Sequence, residues 1–149
     1  MVEEEIDPES QIGLEIRKVW CDLIFSERKK VETRRYPLPV SLLHRKIWVL
    51  QTEEGLPRTS SLPDTVSQGD TTAELVGFIA FRSSFQYRSK EQWDLDRPLH
   101  CVDATSPYNW DGDGEVFGWS IEDATRLNHK QQIPGMTRLH RSLFVFNHA

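Results

Sequence analysis

Three charged residues, Lys29, Glu32 and Arg34, lie within six positions of a segment whose other residues are typical of a core or a strand. Charged side chains are rarely buried unless they are paired. Lysine offers a point charge with three donors, and arginine offers a planar fork of donors suited to phosphate or a carbonyl-rich base edge. A carboxylate accepts from either cation or from an exocyclic amine. The spacing therefore predicts either a buried ion pair or the polar floor of a binding pocket.

The elements around this trio are predicted from hydrophobic periodicity. An apolar helical pattern covers residues 19–25, and residues 30–36 are predicted to be extended. Side chains alternate between the two faces of an extended segment, so Glu32 and Arg34 share one face and Lys29 lies where that face begins. A helix that ends just before a strand would thus bring all three charges to one place.

The rest of the chain predicts many strands and few helices. Gly77, inside one of the strands, indicates a bulge or a sharp bend, and Ser89 begins a short capped helix. Residues 53–72 are rich in Gly, Pro, Ser and Thr and are predicted to form a long mobile loop. Residues 122–128 are either a short helix or a further strand, and residues 96–114 are predicted to be irregular. This pattern favours an α+β, mostly β fold, a small mixed barrel, with strands predicted near 14–16 and at 46–52, 74–82, 115–121 and 139–146.

The segment from Trp20 to Pro37 resembles the signature of the ASCH domain, a relative of the PUA-like RNA-binding barrels. That signature runs from an apolar helix into G-x-K-x-x-E-x-R, and the lysine, glutamate and arginine of the trio match it in register. Glu27 stands where the signature has glycine, so the turn there has an ordinary backbone or is strained if its φ is positive. The resemblance spans roughly residues 14–147. It implies a small ASCH/PUA-like β-barrel with two or three short helices, and a cleft lined by Lys29, Glu32 and Arg34.

The resemblance also implies a function. Members of the family are linked to RNA or DNA binding, a bacterial branch deacetylates N4-acetylcytidine and related amides, and other members are described as ribonucleases. The deacetylating branch carries threonine at the position of Glu32, and Thr33 should face the opposite way. We therefore expect a cleft that binds RNA or a modified nucleobase or nucleotide. A small hydrolase with Lys29 as its catalytic residue is the alternative, and a protein-interaction scaffold is the second alternative.

Further candidate ligand residues are aromatic or basic. Tyr36, Tyr108 and Trp110 could stack on a base, and the last two are predicted to lie in an exposed loop. Seven cations lie between residues 28 and 46, against one acid. Lys29 and Arg34 belong to the signature. The other five suggest a nucleic-acid surface formed by Arg28, Lys30, Arg35, Arg45 and Lys46. A solvated basic face without a partner is the competing interpretation.

Composition limits the class of protein. Of the 23 acids, five lie within residues 3–9, which leaves 18 against 18 basic side chains in a chain of net charge −5. We expect a disordered acidic tail at residues 1–12 and one domain at residues 13–149. The absence of a leader and of a long apolar run, together with only two cysteines, predicts a cytoplasmic or nuclear protein. Neither a metal-ligand spacing nor a cofactor motif is present, so the expected partner is RNA or a nucleotide-like ligand, bound by a monomer without membrane contact.

Overall fold

One curled sheet forms the body of the protein. The computed structural model describes residues 6–53, 57, 59–69 and 73–147. In chain order the strands are β1 (Ile12–Arg17), β2 (Val31–Arg34), β3 (Ile47–Thr52), β4 (Thr65–Val66), β5 (Ala73–Gln86), β6 (Phe117–Gln132), β7 (Met136–His140) and β8 (Leu143–Phe146). They are paired in the order β2-β6-β5-β3-β1-β8-β7-β4. The pair of β1 and β3 is parallel, and the other pairs are antiparallel.

Three short α-helices of the described residues accompany this sheet: α1 (Lys18–Phe25), α2 (Lys90–Leu95) and α3 (Arg97–His100). The predicted α+β, mostly β architecture is confirmed as a half-barrel with helices around it. The cap of α2 is also confirmed, since the Ser89 hydroxyl accepts from the backbone N–H of Gln92 at 3.1 Å. None of these helices has the length and apolar character needed to cross a bilayer.

Gly77 allows α1 to pack closely on the sheet. The pairing of β5 with β6 shifts register between Leu75 and Gly77, which is the predicted bulge. A Cβ atom at Gly77 would lie 2.4 Å from the Thr125 carbonyl oxygen and 2.7 Å from the Phe25 ring. The glycine therefore lets the last turn of α1 lie directly on β5.

Two apolar clusters hold the elements that form the site. The larger one packs the buried face of α1, Cys21 and Ile24, on side chains of β1, β3 and β5. The other gathers Trp93 of α2, Trp110 and Val116 into a separate small core beside the sheet. Burial of this apolar surface is the main favourable term in folding, and it fixes both helical regions against the sheet.

Part of the segment that the sequence predicts as an acidic tail contacts the domain. Residues 1–5 lie outside the described residues, but Ile6 is buried in the main core and Ile12 begins β1. Arg45 donates to the Ser10 carbonyl oxygen at 2.6 Å, and the Trp48 indole N–H donates to Gln11 Oε1 at 2.9 Å. Backbone and side-chain contacts that the sequence pattern does not show thus anchor this segment from residue 6 onward.

The predicted loop at residues 53–72 is partly outside the described residues, at 54–56, 58 and 70–72. Its described part is packed on the domain. Leu62 and Val66 are buried, and β4 pairs with β7. Apolar residues within a Ser- and Pro-rich segment therefore give residues 59–69 a fixed place against the sheet.

In three other regions the structure corrects a prediction or decides between two alternatives. Residues 122–128 belong to β6, so they are a strand and not a helix. The predicted strand at 139–146 is two strands joined by a tight turn, in which Arg141 has a φ of +56°. The region predicted to be irregular contains α3, whose first turn holds Pro98, a position where a missing N–H costs nothing.

Candidate functional site

A cavity of about 310 Å³ opens between the two halves of the curled sheet. Its walls come from β1, from β2 and the residues that follow it, from the segment at 59–60, from the 108–116 loop and from the β7–β8 turn. The lining residues are Glu15, Arg17, Trp20, Lys29, Glu32, Thr33, Arg34, Arg35, Tyr36, Thr59, Ser60, Tyr108, Val116, Arg141 and Ser142. The three signature residues therefore line one cavity, together with Tyr36 and Tyr108.

A left-handed turn at Glu27 directs Lys29 into the protein. Glu27 has a φ of +65°, and glycine, the residue that the ASCH signature has at this position, can adopt such a conformation without strain. The backbone N–H groups of Arg28 and Lys29 both donate to the Leu23 carbonyl oxygen at 3.0 Å, which closes the end of α1. The positive-φ alternative for Glu27 is thus the one that occurs, and the turn reverses the chain from α1 into β2.

Lys29 is the most deeply buried cation of the site, with only 1% of its surface exposed. Its ammonium group donates to the His100 carbonyl oxygen at the end of α3 and lies 3.5 Å from Glu32 Oε1. It also lies 4.6 Å from the centre of the Trp20 ring, within range of a cation–π contact. α3, which the sequence did not predict, therefore supplies one of the groups that hold Lys29.

Glu32 joins the two cations. Its Oε2 accepts from Arg34 Nη2 at 2.7 Å, and the carboxylate is nearly as buried as Lys29. Burial alone would raise the pKa of Glu32, but Arg34 and Lys29 together lower it. Burial lowers the pKa of Lys29 more than the Glu32 carboxylate raises it. Arg34 already compensates the negative charge of Glu32. Burial can therefore bring Lys29 toward its neutral form.

Arg34 spans the opening of the half-barrel. Besides Glu32, it donates to the Glu15 carbonyl oxygen on β1 at 3.0 Å and to the Ser142 hydroxyl at 2.7 Å. The Tyr36 hydroxyl is also hydrogen-bonded to Ser142. These side chains link β2, at one end of the strand order, to β1 and to the β7–β8 turn, and they leave Arg34 few donors for a ligand.

The aromatic candidates occupy different environments. Tyr108 is half-buried at the cavity, and its ring contacts Trp20 edge-to-face with centroids 5.4 Å apart. Trp110 does not lie in an exposed position as predicted. It is buried beside Trp93 and donates to the Asp113 carbonyl oxygen at 2.9 Å. The small core around α2 draws this indole inward, whereas Trp20 lies at the cavity wall.

A second charged pair, Glu15 and Arg17 on β1, escaped the sequence analysis. Both are buried, with Arg17 Nη1 3.8 Å from Glu15 Oε2. Glu15 accepts from the Ser60 hydroxyl at 2.5 Å and from the Ser61 N–H at 2.9 Å, and Arg17 donates to the Thr59 carbonyl oxygen at 2.8 Å. Charged residues inside an otherwise apolar strand were the available signal. The pair holds the 59–61 segment as one wall of the cavity.

The five candidates for a basic surface have different neighbours. Arg35 donates to the Asp113 carbonyl oxygen at 3.0 Å, and Arg45 to the Ser10 carbonyl oxygen. The Lys46 ammonium lies 4.2 Å from the Trp48 ring centre, on the β3 side of the sheet. Arg28 and Lys30 are exposed, and the latter lines a separate surface hollow of about 430 Å³. Of these five cations, the cavity includes Arg35.

The cavity combines groups that suit a small polar ring compound. It offers buried donors and a carboxylate acceptor, aromatic surface from Trp20 and Tyr108, and hydroxyl groups at its edge. Within the described residues, no cluster of His, Cys, Asp and Glu is arranged to hold a metal ion. The residues that line the cavity can themselves supply hydrogen bonds, charge, stacking surface and proton transfer.

Comparison with known proteins supports the fold. No family model and no curated protein matches this sequence. The structure is similar to the crystal structure of the ASCH protein of Zymomonas mobilis, at 15% identity and a TM-score of 0.54, over 92% of this chain and 87% of that one. A serine-to-alanine mutant of the same protein gives 15% identity, a TM-score of 0.55 and coverage of 95% and 92%. A tyrosine-to-phenylalanine mutant gives 17%, 0.56, 92% and 90%. The ASCH-like fold implied by the signature is thus confirmed.

Proposed function

We propose that this protein binds a nucleobase-containing ligand, an RNA or a modified nucleobase or nucleotide, in the cavity lined by Lys29, Glu32 and Arg34. The observation that carries the proposal is the burial of Lys29 beside Glu32 at the wall of a cavity large enough for a ligand. Packing alone would be served as well by apolar side chains, because removing a charged pair from water costs free energy. Buried ionisable groups of perturbed pKa in a cavity are typical of functional sites.

The chemistry of a nucleobase matches this cavity. Its flat faces can stack on Tyr108 or Trp20, and its edge can pair with the ammonium of Lys29 or the carboxylate of Glu32. The ASCH-like fold agrees with the resemblance that first implied a nucleic-acid ligand. The half-buried Tyr108 and the fully buried Lys29 would thus act on different parts of one ring.

Isothermal titration with a panel of nucleosides, nucleotides and a short single-stranded RNA tests the proposal. Lys29→Met should lower the affinity of every ligand that binds, and Tyr108→Leu should do so without touching the buried charges. Lys90→Met is the matched control, since Lys90 is partly exposed on α2 and away from the cavity lining. Circular dichroism would establish that each variant folds. Equal affinities for the wild type, Lys29→Met and Tyr108→Leu would refute the assignment of the site.

A hydrolase remains the second candidate because burial lowers the pKa of Lys29 and so favours a neutral amine. A neutral Lys29 could take a proton from water as the water oxygen attacks an acyl carbon, and then pass that proton to the amine released when the C–N bond breaks. N4-acetylcytidine would yield acetate and cytidine. Release of cytidine by the wild type but not by Lys29→Met would support this activity. Turnover that persists in Lys29→Met would exclude Lys29 as its base.

A further inference from the structure

The cavity has two chemically different ends joined by one line of contacts. At one end Tyr108 meets Trp20, whose ring faces Lys29. The line continues through the ion pairs of Glu32 with Lys29 and with Arg34. Arg34 then contacts Ser142, at the β7–β8 turn. A ligand that fills this cavity therefore meets aromatic surface at one end and hydroxyl and guanidinium groups at the other.

Arg141 is the unusual residue of the second end. Its φ of +56° lies in the left-handed region, which glycine or asparagine would adopt with less strain. Its guanidinium lies 5.5 Å from the centre of the Tyr36 ring at the cavity, and the residue is exposed. Among the described residues, no carboxylate forms an ion pair with it. The turn thus holds an uncompensated cation at the mouth of the cavity.

Arg34 and Arg141 therefore have different roles. Arg34 is engaged with Glu32, with the Glu15 carbonyl oxygen and with Ser142. Arg141 is exposed, and its guanidinium lies over the ring of Tyr36, whose hydroxyl group is hydrogen-bonded to Ser142. Guanidinium and hydroxyl donors that converge on one place are typical of phosphate recognition.

The charge of the lining points to the same ligand chemistry. The formal balance is positive even when Lys29 is counted as neutral, so an anion of one or two charges is electrostatically favoured. The cavity is also near the lower limit of about 300 Å³ for ligand sites, which suits one small molecule better than a polymer. The lining cations are Arg17, Lys29, Arg34, Arg35 and Arg141, and the lining acids are Glu15 and Glu32.

We propose that the ligand is a nucleoside monophosphate, with its base at Trp20 and Tyr108 and its phosphate at Arg141, Ser142 and Tyr36. This inference rests on the proposed function and deepens it, because it names the ligand class and its direction in the cavity. The same chemistry could come from a free mononucleotide or from the terminal phosphate of an RNA. The experiment therefore includes both sources.

Calorimetric titration of cytidine, cytidine 5′-monophosphate, cytidine 3′-monophosphate, inorganic phosphate and short RNAs with and without a terminal phosphate measures the contribution of the phosphate. We expect a monophosphate to bind about tenfold or more tightly than cytidine, a difference of about 1.4 kcal/mol, because its phosphate gains at least one charge-assisted hydrogen bond. Arg141→Gln should weaken the binding of the monophosphates more than that of cytidine, so that the advantage of the phosphate disappears. Arg141→Lys should retain part of it.

Arg88→Gln is the matched control, since it removes the same charge from an exposed position that does not line the cavity. Tyr108→Leu should weaken cytidine and its monophosphates equally. Equal binding of cytidine and its monophosphates, or an Arg141→Gln variant that retains the difference, would overturn this inference and leave the proposed function intact. The inference would also be overturned if RNA bound, no mononucleotide bound and a terminal phosphate made no difference to the affinity of the RNA. Failure of every nucleoside, nucleotide and RNA to bind would refute both proposals.

Discussion

Lys29 combines many stabilising contacts with a position at the proposed binding site. The ammonium has a carbonyl oxygen, a carboxylate and an aromatic ring around it, and it is still on the wall of a cavity. Desolvation disfavours its charge while Glu32 favours it, and the pKa falls because burial is the larger effect. A group held in such a balance can respond to a ligand that changes the charge or the water beside it.

Glu32 should be essential for stability because two buried cations depend on it. Glu32→Gln keeps the shape of the side chain but removes the only carboxylate that contacts both Lys29 and Arg34 among the described residues. Breaking a buried ion pair on one side typically costs about 3–5 kcal/mol. We therefore expect the free energy of unfolding in urea to fall by about that amount. The double variant Lys29→Met with Glu32→Gln should recover part of the loss.

The exposed pair of Lys90 and Asp94 is the control for this cycle. Its charged atoms are 2.9 Å apart, but 40% of the Lys90 side chain and 50% of the Asp94 side chain are accessible to water. Asp94→Asn, which removes the partner of Lys90 and of Arg97, should change the free energy of unfolding far less than Glu32→Gln does. A loss for Glu32→Gln as small as that of the surface variant would show that the buried cluster is not held by its charges.

Among the elements, α3 matters because its last residue, His100, positions both its own ring and the ammonium group of Lys29. The His100 carbonyl oxygen accepts from Lys29, while the imidazole stacks on Trp93 with ring centroids 4.0 Å apart. His100 Nδ1 accepts from the Val102 N–H at 3.0 Å, so Nε2 carries the proton and donates to the Trp93 carbonyl oxygen at 2.9 Å. This arrangement uses both nitrogens of a neutral ring.

The buried imidazole should make stability depend on pH. Burial lowers the pKa of His100 from 6.5 to about 4. Between these values the unfolded state binds the proton and the folded state does not, so the free energy of unfolding falls as the pH is lowered from about 6.5 to 4. The stability that the neutral His100 ring contributes is fully present above pH 6.5, and its loss on acidification amounts to roughly 3 kcal/mol. Urea unfolding at several pH values measures it.

His100→Gln separates this residue from other groups that titrate in the same range. Glutamine can replace the Nε2–H donor but does not titrate, so the variant should be less stable at pH 7 and should lose less stability on acidification. The difference between the two curves then belongs to His100. Parallel curves for the wild type and the variant between pH 6.5 and 4 would contradict the prediction.

Gly77 determines how closely α1 approaches the sheet. A Cβ atom there would meet a backbone oxygen, Thr125 O, at 2.4 Å, and rotation of a side chain cannot relieve that contact. Gly77→Ala should therefore lower the free energy of unfolding by about 1–3 kcal/mol or more. The comparison is Gly135→Ala, whose nearest contact is the mobile end of Asn147 at 3.1 Å. That variant should remain within about 0.5 kcal/mol of the wild type, and similar losses for both would show that the contact at Gly77 relaxes.

Local pattern predicted much of the fold, and long-range packing explains what it missed. Periodicity located α1, β3 and β5, because each is long enough to repeat an apolar spacing. It missed α3, whose four residues are too few for a period, and the turn at Arg141, which has no glycine, proline, asparagine or aspartate to mark it.

The candidate site divides in the same way. Lys29, Glu32 and Arg34 were predictable because they are close in sequence. Ser142 was not, since it lies 108 residues from Arg34 and meets it only when the sheet curls. Packing on Trp93 likewise decides which side of the 108–116 loop faces inward. Trp110 is therefore turned away from the cavity, and Tyr108 faces it.

The whole molecule combines a positive cavity with a chain of net charge −5. Curling of the sheet brings cations of β1, β2 and the β7–β8 turn together, although they are far apart in sequence. The same folding holds two other cations away from the cavity. Arg45 contacts the N-terminal segment, and Lys46 lies over the Trp48 ring. Positive charge is therefore concentrated at one small site, which favours a ligand with one phosphate over a long backbone.

The salt dependence of RNA binding should report this distribution. Each phosphate contact with a single strand contributes a slope of about −0.7 to the logarithm of affinity against the logarithm of salt concentration. One phosphate at Arg141 predicts a slope near that value, whereas contacts from all of Arg28, Lys30, Arg35, Arg45 and Lys46 predict about −3.5. Fluorescence anisotropy with a labelled single-stranded RNA between about 50 and 200 mM salt distinguishes the two. Arg141→Gln should bring the small slope close to zero, while Lys46→Gln should leave it unchanged. A steep slope that Lys46→Gln reduces would instead establish an extended basic surface as the nucleic-acid contact.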